Sequence, residues 1–118
     1  SVVSFLEKFI EMSILYDFYG ELLSEKQRIV VDCYYNDNFS LGEIAEKVNI
    51  SRQGVYDSLK RAEELLREYD SKLKLMEKYK VNKELLKKAI ENLKHYDGNK
   101  PDILDEVKED LEQLLKQL

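Results

Sequence analysis

Apolar residues recur three and four positions apart along most of the chain, which is the period of helices packed on one face. Near the start, Phe5, Phe9, Met12, Tyr16, Tyr19 and Leu23 are spaced four, three, four, three and four apart. This predicts a helix from about Val3 to Leu22 with a seam along it. A second set, Leu6, Ile10, Ile14, Phe18 and Leu22, lies beside the first, making the apolar face wider than one partner helix demands. Two partners are implied. The aromatic density favours an interface, so Phe5, Phe9, Met12, Tyr16 and Tyr19 are the candidate contacts of a homodimer, the alternative being that both stripes enter one small core.

Ser24 with Gln27 forms a capping box that opens a helix from Glu25 to about Tyr35, burying some of Ile29, Val30, Cys33 and Tyr34. Asn36, Asp37 and Asn38 make a polar turn. Ser40 with Glu43 is a second capping box, Leu41, Ile44, Ala45 and Val48 follow at helical spacing, and Phe39 is placed to staple onto Ile44. Asn49 tolerates the left-handed conformation that a sharp exit needs. Ser51 then caps another helix, with Val55, Leu59 and Ala62 inward. Two short helices joined by a tight turn are a helix-turn-helix, and Ser51, Arg52, Gln53, Tyr56, Asp57, Lys60 and Arg61 lie off the inward stripe as candidate nucleic-acid contacts. Arginine bonds guanine in two places and glutamine bonds adenine likewise when such a helix enters the major groove of double-stranded DNA. Gly54 leaves a bare patch that would let another backbone approach. The bland alternative is a helical corner that uses the same turn for packing alone.

The span LSEKQRIVVDCYYNDNFSLGEIAEKVNISRQGVYDSLKRAEELL, from Leu23 to Leu66, resembles region 4 of bacterial sigma factors and the LuxR-type modules. The wider frame, from FYGELLSEKQ through DNFSLGEIAE to SRQGVYDSLKRAE, resembles the bacterial YlxM family. That resemblance covers most of Phe9 to Leu75. It implies a helix-turn-helix regulator linked by gene neighbourhood to the signal recognition particle pathway, whose components then become possible partners.

Past the reading helix, Val55, Leu59, Ala62, Leu66, Tyr69, Leu73 and Met76 continue the stripe. They predict one helix from Arg52 to Tyr79, ~42 Å long at 1.5 Å per residue, unless it breaks near Asp70 and Ser71. Asn82 is placed to cap a helix from Lys83 to about His95, with Leu86, Ala89, Ile90 and Leu93 inward. Asp97, Gly98 and Asn99 then turn the chain, and Pro101 starts a last helix whose stripe is Leu104, Val107, Leu111, Leu114 and Leu118. The expected fold is all-α: an N-terminal helix over residues 1–23, a sigma region 4-like helix-turn-helix over 24–66, and a helical extension over 67–118 ending in a hairpin.

Composition narrows the function. The net charge is −5, unlike that of a protein held by many phosphate contacts. The charge is uneven: Ser1 to Ile50 sums to −5, Ser51 to Lys80 to +2 and Val81 to Leu118 to −2. The candidate reading helix is thus the only positive third, although Asp57 within it would repel a phosphate. The acidic face of the last helix reads as solvated surface more readily than as a dock for a basic partner. Apolar runs are short and no signal-peptide pattern opens the chain, so a cytoplasmic location without membrane insertion is expected. Cys33, the single cysteine, reads as a buried reduced thiol. His95, the single histidine, reads as a complement to a helix C-terminus. With no metal-ligand spacing, phosphate loop or nucleophile motif, neither cofactor nor metal is expected, and a non-enzyme is the reading. An RNA- or protein-interaction adaptor using the same surface is the competing class, with Tyr56 as its stacking residue.

Overall fold

The two apolar stripes of the first helix have opposite fates. In the computed structural model, which describes residues 1–118, α1 (Val2–Tyr19) turns Met12, Leu15 and Tyr19 into the core. Leu6, Ile10, Phe18 and, just beyond the helix, Leu22 are left exposed. This corrects the expected dimer seam. Met12 and Tyr19 are 0% and 1% exposed, so no second copy can reach them. Tyr16 is half-buried and its hydroxyl donates to the Arg28 carbonyl at 3.4 Å. Phe9 is half-buried with its ring 4.9 Å from that of Tyr35. Of the five, only Phe5 stays largely in solvent, at 54%.

A short 3₁₀ turn, Gly20–Leu22, ends α1. α2 (Glu25–Val31) starts from the expected box: Ser24 Oγ accepts from the Gln27 amide at 3.2 Å, and Gln27 Oε1 accepts from the Ser24 amide at 3.0 Å. The helix then widens into a π turn over Asp32–Asn36, marked by the Asp37 amide donating to the Asp32 carbonyl at 3.0 Å. Asn38, at φ 58°, terminates it, with the Phe39 amide returning to the Cys33 carbonyl at 2.9 Å. Cys33 is buried and carries no disulfide.

α3 (Leu41–Val48) and α4 (Arg52–Leu73) follow, packed on each other and on the earlier helices. α4 buries Val55, Leu59, Ala62 and Leu66, as its stripe predicts, and also Glu63. That carboxylate is held from two sides. The Tyr35 hydroxyl donates to Oε2 at 2.5 Å, and Lys8 Nζ lies 3.4 Å from Oε1. One heptad on, the Tyr19 hydroxyl donates to Asp70 Oδ1 at 2.7 Å. α1 is therefore tied to α4 at two levels by polar contacts as well as apolar ones.

α4 stops at Leu73, because Lys74 turns left-handed at φ 56° while its amide still reaches the Asp70 carbonyl at 2.8 Å. The single helix expected from Arg52 to Tyr79 is corrected here: α4 has 22 residues, about 33 Å, and the stripe resumes on a separate helix. The chain divides into two compact units, Ser1–Lys74 and Leu75–Leu118. The boundary thus falls at Lys74, and the first helix belongs with the helix-turn-helix rather than standing apart from it.

The second unit is a helical hairpin. α5 (Leu75–Lys94) runs unbroken through Asn82, which is half-buried inside the helix and caps nothing. In the connection, the Asn99 amide donates to Asp97 Oδ1 at 2.9 Å. Pro101 then opens α6 (Pro101–Lys116). Lys88 bridges to α6 through Glu106 at 3.0 Å and Asp110 at 3.6 Å, and the bond to Glu106 holds its ammonium above the usual lysine range. His95 Nε2 sits 2.8 Å from Glu91 Oε1 near the end of α5. The inward set expected for these helices is corrected too: only Ala89 and Val107 of it are buried, while Leu86, Ile90, Leu93, Leu104, Leu111 and Leu118 are exposed. No helix is long and apolar enough to cross a membrane.

The Glu63 anchorage is directly testable. Tyr35→Phe leaves a buried carboxylate short of its donor and is expected to lower stability by about 1–3 kcal/mol, read by urea denaturation. Burial and then the Glu63 bond push the Tyr35 phenol far above its ordinary value, and burial followed by the Asp32 carboxylate pushes Tyr16 up to about 12. A phenol that ionises near 10 when unfolded and later when folded stabilises fully below pH 10, and that contribution fades as pH rises toward 12. Ultraviolet titration should therefore lose only its latest-ionising phenols in Tyr16→Phe and Tyr35→Phe.

Candidate nucleic-acid interface

The geometry of the candidate reading surface is set by three local devices. At the start of α3, Ser40 Oγ accepts from the Glu43 amide and Glu43 Oε1 accepts from the Ser40 amide, both at 3.1 Å. That backbone bond holds the Glu43 carboxyl below its ordinary 4.5. At the end of α3, Asn49 adopts φ 58° and ψ 47°, and the Ile50 amide reaches back to the Ala45 carbonyl at 3.2 Å. Ser51, extended at φ −71° and ψ 158°, then caps α4, its Oγ accepting from the Gly54 amide at 3.0 Å. Ile44 and Ala45 on one helix, and Val55 and Leu59 on the other, are buried behind this turn. A stiff corner results.

All seven sequence-predicted contacts, Ser51, Arg52, Gln53, Tyr56, Asp57, Lys60 and Arg61, are exposed. The structure brings them onto the outer side of the first turns of α4, and Tyr56, at 46% exposure, is the large apolar surface among them. They are not idle in the free protein. Gln53 Nε2 donates to Asp57 Oδ1 at 3.0 Å, Arg61 pairs with Glu64 at 3.6 Å, and Lys60 Nζ lies 5.9 Å from the centroid of the Tyr56 ring. Ser51 is occupied as a cap.

Two glycines shape this surface, one of them differently from expectation. The space at Gly54 admits no other backbone: a Cβ there would meet Ser51 Oγ at 3.2 Å and the Ile50 side chain at 3.5 Å. It lets the cap close in. Gly42 was not singled out by the sequence, yet a Cβ there would lie 3.0–3.2 Å from the Arg52 guanidinium. The arginine therefore lies over the first turn of α3. Phe39, half-buried ahead of Ser40, has Lys47 Nζ 5.2 Å from its ring centroid.

Beside the reading helix lies a groove of about 370 Å³, with Tyr56, Lys60 and Glu63 on one wall and Phe5, Phe9 and Tyr34 on the other. Nothing in the spacing announced it. Tyr34 and Tyr35 of the π turn and Glu63 of α4 line it, a juxtaposition that a helical period does not encode.

Comparison with known proteins settles the lineage. Residues 6–115 match the family described as "Putative helix-turn-helix protein, YlxM / p13 like". The chain belongs to that family. Among UPF0122 proteins it is 52% identical to one of Bacillus pumilus over 86 residues, 73% of this chain and 78% of the relative. It is 44% identical to one of Geobacillus over 109 residues, 92% of this chain and 98% of the relative. A Listeria welshimeri relative is 46% identical over 109 residues, 92% and 94% of the two chains. The YlxM-type frame thus spans both units, well past Leu75 where the sequence resemblance alone had ended.

The caps give the site its measurable rigidity. Ser40→Ala and Ser51→Ala are each expected to lower stability by about 1 kcal/mol, against a few tenths for the serine-to-glycine variants, as read by thermal and urea unfolding. The part contributed by Glu43 is fully present above pH 4.5 and is lost as pH falls through its lowered value.

Proposed function

We propose that this YlxM-type protein is a regulator in the cytoplasm that reads double-stranded DNA with the start of α4. The observation that carries this reading is the exposed set Arg52, Gln53, Tyr56, Lys60 and Arg61 on a helix capped at its start and buried along its back. A helix so presented enters a major groove with its first turns toward the base edges. Arg52 and Gln53 occupy those turns and have the donors for guanine and adenine, while Lys60 and Arg61 stand farther along for phosphates. Two copies would present two such helices to successive grooves. The acidic balance keeps non-specific attraction weak.

Tyr56 and the groove beside it favour a second reading, an adaptor for RNA or protein. An exposed tyrosine flanked by Lys60 and opening onto aromatic walls stacks on an unpaired base as readily as on a protein side chain. The gene-neighbourhood link of the family makes components of the signal recognition particle the partners to test first.

Selection from genomic fragments followed by fluorescence anisotropy should enrich a duplex. Arg52→Ala is expected to cost about 1–3 kcal/mol and relax specificity at one position, whereas Lys60→Ala should weaken all sequences alike and reduce the salt slope by about 1. Absence of any enriched duplex at low salt, or indifference to both variants, defeats the DNA reading. Partners captured from lysate that survive nuclease treatment and are lost with Tyr56→Ala would establish the adaptor instead.

A further inference from the structure

The hairpin of α5 and α6 turns several polar side chains inward and leaves many of its leucines exposed. Along the seam between the helices lie Asn82, Asn92, Asp110 and Gln117, and Asn82 Oδ1, Asn92 Nδ2, Asp110 Oδ2 and Gln117 Oε1 are buried there without hydrogen-bond partners. Of the unit's apolar residues only Met76, Ala89 and Val107 are buried. By contrast Leu86, Ile90 and Leu93 on α5, and Leu104, Leu111 and Leu115 on α6, are 41–71% exposed. A unit of 44 residues with so thin a core is of the size that ordinarily gains stability by association.

These six residues form one face. On α5 the exposed stripe lies one position after the seam residues Leu85, Ala89 and Asn92; on α6 it lies one position after Ile103, Asp110 and Leu114. One residue turns a helix by about 100°, and in an antiparallel pair that step swings both stripes to the same side. The positions one before the seam carry the polar bridge of Lys88 to Glu106 at 3.0 Å, which marks the opposite side. Lys88 reaches both Glu106 and Asp110, a register that places Leu93 near the level of Leu104 and Leu86 near that of Leu111.

Charge names the occupant. α5 carries six lysines against three glutamates, and α6 six acidic residues against two lysines. Flanking the open stripe away from the seam are Lys87 and Lys94 on α5, and Asp105 and Glu112 on α6. We propose that two copies of the chain pair through this face. They close an antiparallel four-helix bundle in which α5 of each copy lies against α6 of the other. A two-fold axis along the helices sets the lysine flank of each copy on the acidic flank of its mate. The alternative axis, across the helices, sets lysine flank on lysine flank and is disfavoured. The pairing supplies the two copies invoked for DNA reading, but it needs no nucleic acid and stands or falls without it.

Sedimentation velocity on the full chain, free of nucleic acid, should give the mass of two 14.0 kDa chains. Ile90→Glu places an unpaired charge in the closed face and should weaken pairing by more than about tenfold. Variants with Lys87→Glu and Lys94→Glu, or with Asp105→Lys and Glu112→Lys, leave the apolar face intact. Each should self-associate more weakly than the parent chain, and their mixture should recover a mixed dimer. A parent chain that stays monomeric up to its solubility limit overturns the proposal. So does a mixture that pairs no better than its components. A dimer insensitive to the α5 and α6 variants but abolished by Ile10→Glu would assign pairing to the exposed stripe of α1 and also overturn it.

Discussion

The first unit turns on a carboxylate that has no business in a core unless it is held. Glu63 is 7% exposed, and taking such a group from water costs several kcal/mol unless donors meet it. Tyr35 and Lys8 meet it from two different segments, at 2.5 and 3.4 Å. The net contribution of such a group to stability is small; its effect is on register. A helix that slipped or turned against its neighbours would strand the charge, whereas Val55, Leu59 and Leu66 alone would tolerate several arrangements of α4. With α4 fixed from behind, the side chains on its front have fixed directions. The candidate surface is therefore positioned from the buried side of α4.

On that front, the candidate contact residues are already partnered. Gln53 holds Asp57, Arg61 holds Glu64, and Arg52 rests against Gly42. Of these only Arg61 with Glu64 is an ion pair, exposed and screened by salt, and on the proposed DNA reading a duplex offering base edges and phosphates replaces such surface contacts. On that reading the same contacts, together with a net charge of −5, oppose non-specific attraction to phosphates. Asp57, which at first sight spoils a DNA-binding helix, acts here as a local competitor for Gln53.

What the sequence disclosed was whatever is written locally. Both capping boxes, the left-handed Asn49, the Ser51 cap and the stripe from Val55 to Leu66 could be read from neighbours three and four residues apart, and the structure has them all. The outward set on α4 follows from the same period. Contacts between residues distant in sequence were hidden: Tyr35 with Glu63, the groove that this pair borders, and Tyr19 with Asp70. A break near Asp70 and Ser71 was left open, but its place at Lys74 was not legible, because a stripe can pass through a left-handed residue and resume on the next helix without losing its spacing. Gly42 was overlooked because its use depends on a side chain ten residues away.

The systematic error concerned wide apolar faces. In α1, α5 and α6 two adjacent stripes compete for the interior, and periodicity is blind to the choice because both stripes have helical spacing. In α1 the aromatic stripe won, since Phe9 and Tyr19 find rings and carboxylates to meet on α4 and on the turn after α2. In α5 and α6 the inward stripe mixes Leu85, Ala89, Ile103, Val107 and Leu114 with Asn82, Asn92 and Asp110, while Leu86, Ile90, Leu93, Leu104 and Leu111 were left outside. Half-buried amides beside exposed leucines are the arrangement that the proposed pairing accounts for. Composition across the two stripes, rather than spacing along either, is the property that separates a face meant for the chain's own fold from one meant for a partner.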